Sequence, residues 1–204
     1  ENEIAQSECA NGCTFSRYWM HNGFLNINNQ KMSKSANNFF TVREIADKYG
    51  YEPIRYFMLT AGYRMPLNYT VDLIESCKNS LDRLYTCRDN LDFAISHARG
   101  TDTALAGKCD QAREKFRAAM DDDLNTPDAL AAIFDFVKEI NTLSDASDKA
   151  VLEQAAATFD ELTGVLGLMY NRRQEQAPAE VLALVEERTA AKKAKDWARA
   201  DAIR

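Results

Sequence analysis

The chain has 204 residues, 46% of them hydrophobic, which is enough for one large or two small domains with a packed core. No apolar run approaches the roughly 18 residues that a transmembrane helix needs, so no membrane span is predicted. Five cysteines, an odd number without framework spacing, favour free thiols in a reducing cytoplasm over a disulfide scaffold. The chain opens with Glu1 inside a charged, helix-like run, so we expect an upstream portion that this sequence does not contain.

The net charge of −6 is distributed unevenly along the chain. Residues 17–64 carry seven Lys and Arg against three Asp and Glu, and residues 188–204 carry six against two. Residues 101–170, in contrast, carry six against fourteen. The basic ends suit a phosphate backbone, although a solvated basic helix face explains the charge equally well.

The first elements alternate between helix and extended chain. Residues 1–13 are predicted to be a helix, and residues 14–30 a strand and turn, with a hairpin at Asn22-Gly23 between apolar runs. Thr41 and Glu44 form a capping box that opens a short helix. Pro53 lies in the first turn of a further short helix, which should end near Ala61.

From Thr70 onwards the pattern predicts only helices. An apolar stripe runs from Ile74 to Ile95, interrupted by Arg88. Further helices are expected from Ala104 to Met120, from an N-cap at Thr126, and from about Lys149 to Leu166. Residues 171–177 lack strongly apolar side chains and are predicted to be a linker, followed by a last amphipathic helix from about Pro178 to the end.

The segment Lys31-Met32-Ser33-Lys34-Ser35, here called the lysine loop, carries the most specific chemistry of the chain. Each lysine is a compact positive charge with three donors, so two of them can hold a polyphosphate while charge builds at a reacting phosphorus. We expect Lys34 to be the main phosphate ligand and Lys31 the next. Ser33 and Ser35 either donate hydroxyls or keep the loop small. Two lysines at this spacing alone would more often form a solvated turn.

The lysine loop resembles the second signature loop of class I aminoacyl-tRNA synthetases, and its surroundings resemble the cysteinyl-tRNA synthetases in order and spacing. The segments that carry this resemblance are residues 1–8, 18–24, 37–39, 55–57, 63–69, 123–130 and 194–201. The resemblance implies a mainly α fold with a small α/β remnant of a catalytic domain. The implied parts are the end of the catalytic domain (1–35), a stem-contact segment (36–69), an anticodon-binding helical bundle (70–170), the linker (171–177) and a tRNA-reading helix (178–204).

In that family ATP, with Mg²⁺, activates L-cysteine to cysteinyl-adenylate, and the cysteinyl group then moves to tRNA(Cys). The resemblance further implies a zinc ion that binds the substrate thiol, a cytoplasmic location and a monomer. Glu3 matches one of the zinc-ligand positions, whereas Cys9 and Cys13 fall outside the ligand pattern and are expected to pack near the site. The first signature motif of the class is absent from this sequence, so we expect no adenylation by these 204 residues alone.

Other side chains receive roles from the same resemblance. Trp197 and Asp201 lie four apart on one helix face, where an indole can stack on an unpaired base and a carboxylate can accept from base amines. Lys192 stands where the family usually has Arg, and it keeps the charge without the bidentate fork. Ordinary packing of Trp197 stays open. Trp19 and His21 are pocket-side or packing residues.

A second group of candidates comprises Arg55, Tyr63 and Arg64, which either contact the tRNA stem or serve in caps and ion pairs. Two other functions also stay open. One is a related zinc-dependent ligase that joins cysteine to an amino sugar, and the other is a helical tRNA-binding module without catalysis. The tail with Trp197 and Asp201 argues against the first, because such a ligase needs no anticodon reader.

Overall fold

The computed structural model describes residues 1–32 and 40–172, together with Glu187 and Arg199. The chain forms two compact units, Glu1–Tyr170 and Asn171–Arg204. The first unit is mainly helical with one small sheet, which confirms the predicted fold class. Its elements are α1 (Asn2–Asn11), β1 (Leu25–Ile27), β2 (Gln30–Lys31), α2 (Val42–Tyr49), α3 (Tyr51–Leu59), β3 (Leu67–Tyr69), α4 (Val71–His97), α5 (Ala104–Asp121), α6 (Thr126–Leu143), a 3₁₀ turn (Ser144–Ala146) and α7 (Lys149–Val165).

The sheet has the strand order β2-β1-β3, with β1 antiparallel to β2 and parallel to β3. The predicted hairpin at Asn22-Gly23 is wrong, because the turn between β1 and β2 is Asn28-Asn29. These two asparagines have φ values of 49° and 63°, the left-handed pair that a two-residue hairpin turn requires. Gly23 instead lies where β1 approaches the chain ahead of β3, and a Cβ there would be 2.2 Å from the Met65 carbonyl oxygen.

The two short helices begin as the sequence predicts. The Thr41 hydroxyl accepts from the Glu44 amide at 3.3 Å, and the Glu44 carboxylate accepts from the Thr41 amide at 2.6 Å. These bonds from Thr41 lower the pKa of Glu44. Pro53 lies in the first turn of α3, and this helix ends at Leu59.

Helices α4 to α7 pack together as a bundle, and α4 alone is about 40 Å long because its 27 residues each rise about 1.5 Å. The helical region begins at Thr70, as predicted, and the Thr70 side chain caps α4 by accepting from the Leu73 amide at 3.2 Å. The predicted N-cap of α6 is wrong by one residue. Asn125 is the cap, since its side chain accepts from the Asp128 amide, whereas the Thr126 hydroxyl donates to the Leu59 carbonyl at 2.9 Å.

One apolar core runs from the sheet through α3 into the bundle. The predicted stripe of α4 is buried from Ile74 to Leu91, while Ile95 is half-buried. Arg88 interrupts the stripe without leaving the core, because its side chain is only 8% exposed and pairs with Asp160 of α7. In the parts of the chain that the structure describes, no helix is both long and apolar enough to cross a membrane.

In the second unit the structure describes residues 171–172, Glu187 and Arg199, and the last two are helical. An Arg199 Nη2 atom lies 2.6 Å from Glu187 Oε1. The rest of the helix that the sequence predicts from about Pro178 lies outside the described residues.

Candidate functional site

The start of the lysine loop is held by the sheet. Lys31 lies on β2, where its backbone pairs with Asn26 of β1. The Asn68 side chain of β3 accepts from the Asn29 amide at 2.7 Å, and the Tyr69 carbonyl accepts from the Asn28 amide at 3.1 Å. Strand β3 therefore fixes the hairpin turn that delivers the lysine loop.

The far side of the lysine loop is held by the same strand. Met32 before the undescribed segment and Phe40 after it are half-buried and pack against the core. The rings of Phe40 and Phe57 lie 4.9 Å and 6.0 Å from the ring of Tyr69, both edge to face. Tyr69 is buried, and burial raises the pKa of its hydroxyl. Both flanks of the loop therefore converge on β3.

The side chains that are predicted to bind phosphate are not described by the structure. Ser33, Lys34 and Ser35 lie outside the described residues, as does the side chain of Lys31. The structure therefore places the frame of the lysine loop, and the roles of these residues stay predictions.

A cavity of about 440 Å³ lies beside β1, at the end away from the hairpin turn. Phe24, directly before β1, forms one wall and is 77% exposed. Trp19 and His21, for which the sequence leaves pocket-side and packing roles open, both line the cavity, with ring centroids 6.5 Å apart and an interplanar angle of 13°. The remaining lining residues are Asn22, Gly23, Tyr63, Arg64 and Pro66.

The cavity wall is tied to the bundle through a polar cluster. The Tyr63 hydroxyl donates to Asp123 at 2.9 Å and accepts from Arg64 Nε at 3.0 Å, while Arg64 Nη2 lies 3.3 Å from the same carboxylate. The Tyr63 hydroxyl, and then the Asp123 charge, raise the pKa of Arg64. Asp123 lies between α5 and α6 with a φ of 52°. Arg64 therefore makes an ion pair with Asp123 and Tyr63 a hydrogen bond to it, while their contact with the tRNA stem stays a prediction.

Of the zinc ligands that the resemblance implies, this chain contains only the position of Glu3. Glu3 is exposed in the first turn of α1. Cys9 and Cys13 are exposed as well, and their packing near the site stays a prediction. Across residues 1–32 and 40–172, no group of three or more His, Cys, Asp or Glu side chains could hold a metal ion. The described residues do not fit a zinc centre by themselves, because a zinc site needs three or four protein ligands and Glu3 belongs to no such group among them.

The predicted tRNA-reading residues Lys192, Trp197 and Asp201 all lie outside the described residues. Sequence reasoning assigns no role to Asn68, Tyr69 and Phe40, which hold the lysine loop. A three-residue strand is too short for a periodic signal, so only the placement of Asn68 between two apolar residues could have indicated it.

Comparisons with known families match both parts of the first unit. The profile of the family described as "tRNA synthetases class I (C) catalytic domain" matches residues 1–79. The profile described as "DALR domain" matches residues 115–171. The first match contains the sheet and the lysine loop, and the second contains the C-terminal part of α5 together with α6 and α7.

Curated relatives match the whole chain. It is 49% identical to the cysteine–tRNA ligase of Caldicellulosiruptor saccharolyticus, 47% identical to that of Lachnospira eligens and 43% identical to that of Clostridioides difficile. Each match includes 100% of this chain but only 44–45% of the relative. The chain therefore spans a little less than half the length of these ligases.

The fold also resembles a solved structure. It matches the LeuRS of the LeuRS–tRNA–LeuAMS ternary complex from Agrobacterium radiobacter K84 with a TM-score of 0.60. This match covers 73% of the present chain and 22% of the other, at 17% identity, so it supports the fold alone. The family profiles, the relatives and the resemblance of the lysine loop agree. Over its whole length, the chain is similar to part of the cysteinyl-tRNA synthetases, which are class I aminoacyl-tRNA synthetases.

Proposed function

We propose that this chain is the part of a cysteine–tRNA ligase that carries the ATP-phosphate loop and the tRNA-binding helical region. The protein would use ATP with Mg²⁺ to convert L-cysteine to cysteinyl-adenylate and would transfer the cysteinyl group to tRNA(Cys). The observation that carries this proposal is the 49% identity to a ligase of that name over the whole of this chain. The anchoring of the lysine loop supports it independently.

In this proposal Lys34 and Lys31 hold the phosphates of ATP, and Ser33 and Ser35 donate hydroxyls to them. Their positive charges stabilise the charge that develops as pyrophosphate departs. Such stabilisation depends on placing the charges before the reaction begins, since reorganisation would consume part of the gain. Anchoring both flanks of the loop on β3 and its neighbours serves this need.

We propose that Trp197 stacks on an unpaired tRNA base, that Asp201 accepts from a base amine and that Lys192 supplies charge. The acidic bundle and the basic tail fit a division of labour in which the tail provides the electrostatic attraction. Translation takes place in the cytoplasm, where we place this protein, and we expect it to act as a monomer.

Glu3 is our proposal for one zinc ligand, with the other donors on residues that this chain does not contain. The zinc content of the full-length protein tests whether Glu3 is a ligand. Glu3→Gln should lower the zinc bound per molecule, whereas Glu8→Gln on the same helix should not. Equal zinc contents in both variants would remove Glu3 from the site.

The function is tested by measuring ATP–pyrophosphate exchange and tRNA(Cys) affinity side by side in the gene-encoded protein. Lys34→Ala should slow cysteine-dependent exchange about 100-fold or more, with little change in tRNA affinity. Trp197→Ala should do the reverse and weaken tRNA binding about 5- to 100-fold, as expected for one lost stacking contact. Lys138→Ala, an exposed lysine of α6, is the matched control and should change neither quantity. A protein that charges no cysteine onto tRNA would refute the proposal.

A further inference from the structure

Asp123 contacts the cavity beside β1 from the side of the helical bundle. Its carboxylate accepts from the Tyr63 hydroxyl at 2.9 Å and lies 3.3 Å from Arg64 Nη2. These partners precede Asp123 by 60 and 59 residues, and both of them line the cavity. The turn between α5 and α6 therefore holds part of the cavity wall through one side chain.

The Arg64 guanidinium is held at two of its three nitrogens in this cluster. Nε donates to the Tyr63 hydroxyl at 3.0 Å, Nη2 faces Asp123, and the Cζ atom lies 5.4 Å from the centre of the Tyr63 ring. Because the guanidinium is planar, two held nitrogens fix the direction of the third, Nη1. Within residues 1–32 and 40–172 the structure shows no acceptor for Nη1. The cavity wall therefore carries a charged donor whose direction is set.

The turn that carries Asp123 has a backbone conformation that most side chains avoid. Asp123 and Leu124 follow each other with φ values of 52° and 56°. Aspartate tolerates this left-handed region better than most residues do, but leucine rarely adopts it. The Leu124 and Asn125 amides hold the turn by donating to the Met120 and Ala119 carbonyls, both at 3.1 Å. The carboxylate of Asp123 therefore projects from a defined backbone.

Stability does not account for this cluster. The side chains of Arg64 and Asp123 are 69% and 54% exposed, and ion pairs that water reaches contribute little to folding. Glycine at position 123 would adopt the same φ without strain. Strained residues other than glycine cluster where function requires a particular geometry. What the Asp123 carboxylate adds is the orientation of a cation at the cavity.

We propose that Asp123 is a positioning residue for the cavity beside β1, and that it orients the Arg64 guanidinium for an oxyanion of a substrate. The oxyanion is a phosphate or a carboxylate, the groups that match a guanidinium in geometry and charge. This inference rests on the proposed function, which offers two sources of such a group. One is the pair of small substrates, ATP and L-cysteine, and the other is the phosphate backbone of tRNA(Cys).

The expected effect follows from the order that Arg64 has before its ligand binds. Without the Asp123 carboxylate, Arg64 keeps its bond to Tyr63 but samples more rotamers, so binding has to order the side chain. Ordering one long side chain lowers affinity roughly 2- to 10-fold. We therefore expect Asp123→Gly to raise a KM in ATP–pyrophosphate exchange, or the Kd for tRNA(Cys), by this factor. The kcat of exchange should stay within about twofold, because only binding is weakened.

The test measures exchange and tRNA affinity in the full-length protein with Asp123→Gly, Arg64→Ala and the double variant. Asp123→Gly keeps the turn and removes only the carboxylate, since glycine adopts positive φ freely. Arg64→Ala should raise the same constant about 10-fold or more, because it removes the charged donor itself. If Asp123 acts through Arg64, the double variant should equal Arg64→Ala. Leu124→Gly relieves the φ of 56° in the same turn and keeps the cluster, so it should change neither quantity.

The outcomes separate this inference from the proposed function. A wild-type protein that charges no cysteine onto tRNA would overturn both. In an active protein, unchanged KM values and tRNA affinity in Asp123→Gly would overturn the inference alone. An undiminished effect of Asp123→Gly in the Arg64→Ala background would do the same, as would a loss of kcat at constant KM.

Two further readouts complete the test. A raised KM identifies a small substrate as the source of the oxyanion, and a raised Kd identifies the tRNA. Should Asp123→Gly not fold, Asp123→Asn replaces it, because asparagine tolerates the left-handed region and keeps an acceptor for Tyr63 without the charge. Asp123→Asn should then show a smaller effect with the same dependence on Arg64, and an effect independent of Arg64 would overturn the inference.

Discussion

The buried ion pair between α4 and α7 makes an asymmetric prediction about stability. Arg88 donates from Nε and Nη2 to the two carboxylate oxygens of Asp160 at 2.8 Å and 3.0 Å, and it also bonds Asp92. The Arg88 side chain is 8% exposed, whereas the two aspartates are 45% and 46% exposed. We predict that Asp160→Ala destabilises the fold more than Arg88→Met does.

The magnitudes follow from what each change leaves behind. Asp160→Ala deprives a buried cation of two acceptors, at about 1.5–3 kcal/mol for a hydrogen bond to a charged group. Asp92 and partial solvation moderate the loss, so we expect about 2 kcal/mol. Arg88→Met keeps the packing of the side-chain stem and leaves only carboxylates that water reaches, so it should cost less than about 1 kcal/mol. Burial lowers the pKa of Arg88 but the bonds to both aspartates raise it further, so the cation persists when one partner is removed.

Urea unfolding followed by circular dichroism measures both changes. With a slope of about 2–3 kcal/mol per molar urea, Asp160→Ala should lower the unfolding midpoint by roughly 0.7–1 M. Arg88→Met should shift the midpoint by less than half of that amount. Asp89→Ala, an exposed aspartate of the same helix, is the matched control and should leave the midpoint nearly unchanged. An Arg88→Met midpoint as low as that of Asp160→Ala would refute the reasoning, because the charged bonds would then be stabilising in themselves.

Three further predictions concern the sheet and the thiols. Gly23→Ala should lower the melting temperature sharply, because its Cβ would lie 2.2 Å from a backbone oxygen, whereas Gly107→Ala, with open space in α5, should raise it slightly. Asn68→Ala removes the acceptor that holds the hairpin turn, so the rate of ATP–pyrophosphate exchange should fall while tRNA affinity is unchanged. Equal losses of exchange rate and tRNA affinity would contradict a role of Asn68 in placing the lysine loop. Burial raises the pKa of Cys77 and Cys87 from 9.0 to about 11. As the pH rises, the thiols therefore ionise first in the unfolded state, and the free energy of unfolding should fall between pH 9 and 11. Urea unfolding at pH 8 to 11 measures this fall, which should be smaller in Cys77→Ala.

Local chemistry explains which elements are predictable from the sequence. The caps at Thr41 and Thr70 each depend on side chains within three residues, so their signals survive in any tertiary context. The stripe of α4 is predictable for a similar reason, since a helix that buries one face must repeat apolar residues at helical spacing. Its break at Arg88 is visible in the sequence, but the partner on α7, 72 residues away, is not.

The sequence predictions fail where contacts with a distant segment determine the local structure. Asn22-Gly23 has the composition of a hairpin turn, yet the turn forms at Asn28-Asn29 because β3 supplies a side-chain acceptor and a carbonyl there. The Thr126 hydroxyl donates to the Leu59 carbonyl instead of capping α6, and Asn125 is the N-cap. The burial of Glu52, which is 3% exposed in the first turn of α3, gives no sequence signal, because a glutamate at such a position normally faces water.

The segment from Tyr63 to Tyr69 connects the two halves of the proposed activity. Through Tyr69 and its neighbour in β3 it holds both flanks of the lysine loop, and through Tyr63 and Arg64 it contacts the α5–α6 turn at Asp123. It then runs directly into α4, the longest helix of the bundle. In the proposed function, this connection would give tRNA bound on the bundle and ATP bound at the loop a common frame. The placement of the reacting groups then depends on backbone pairing and ring packing. A class I enzyme needs this rigidity because most of its catalytic gain comes from orienting the reactants and charges before the chemical step.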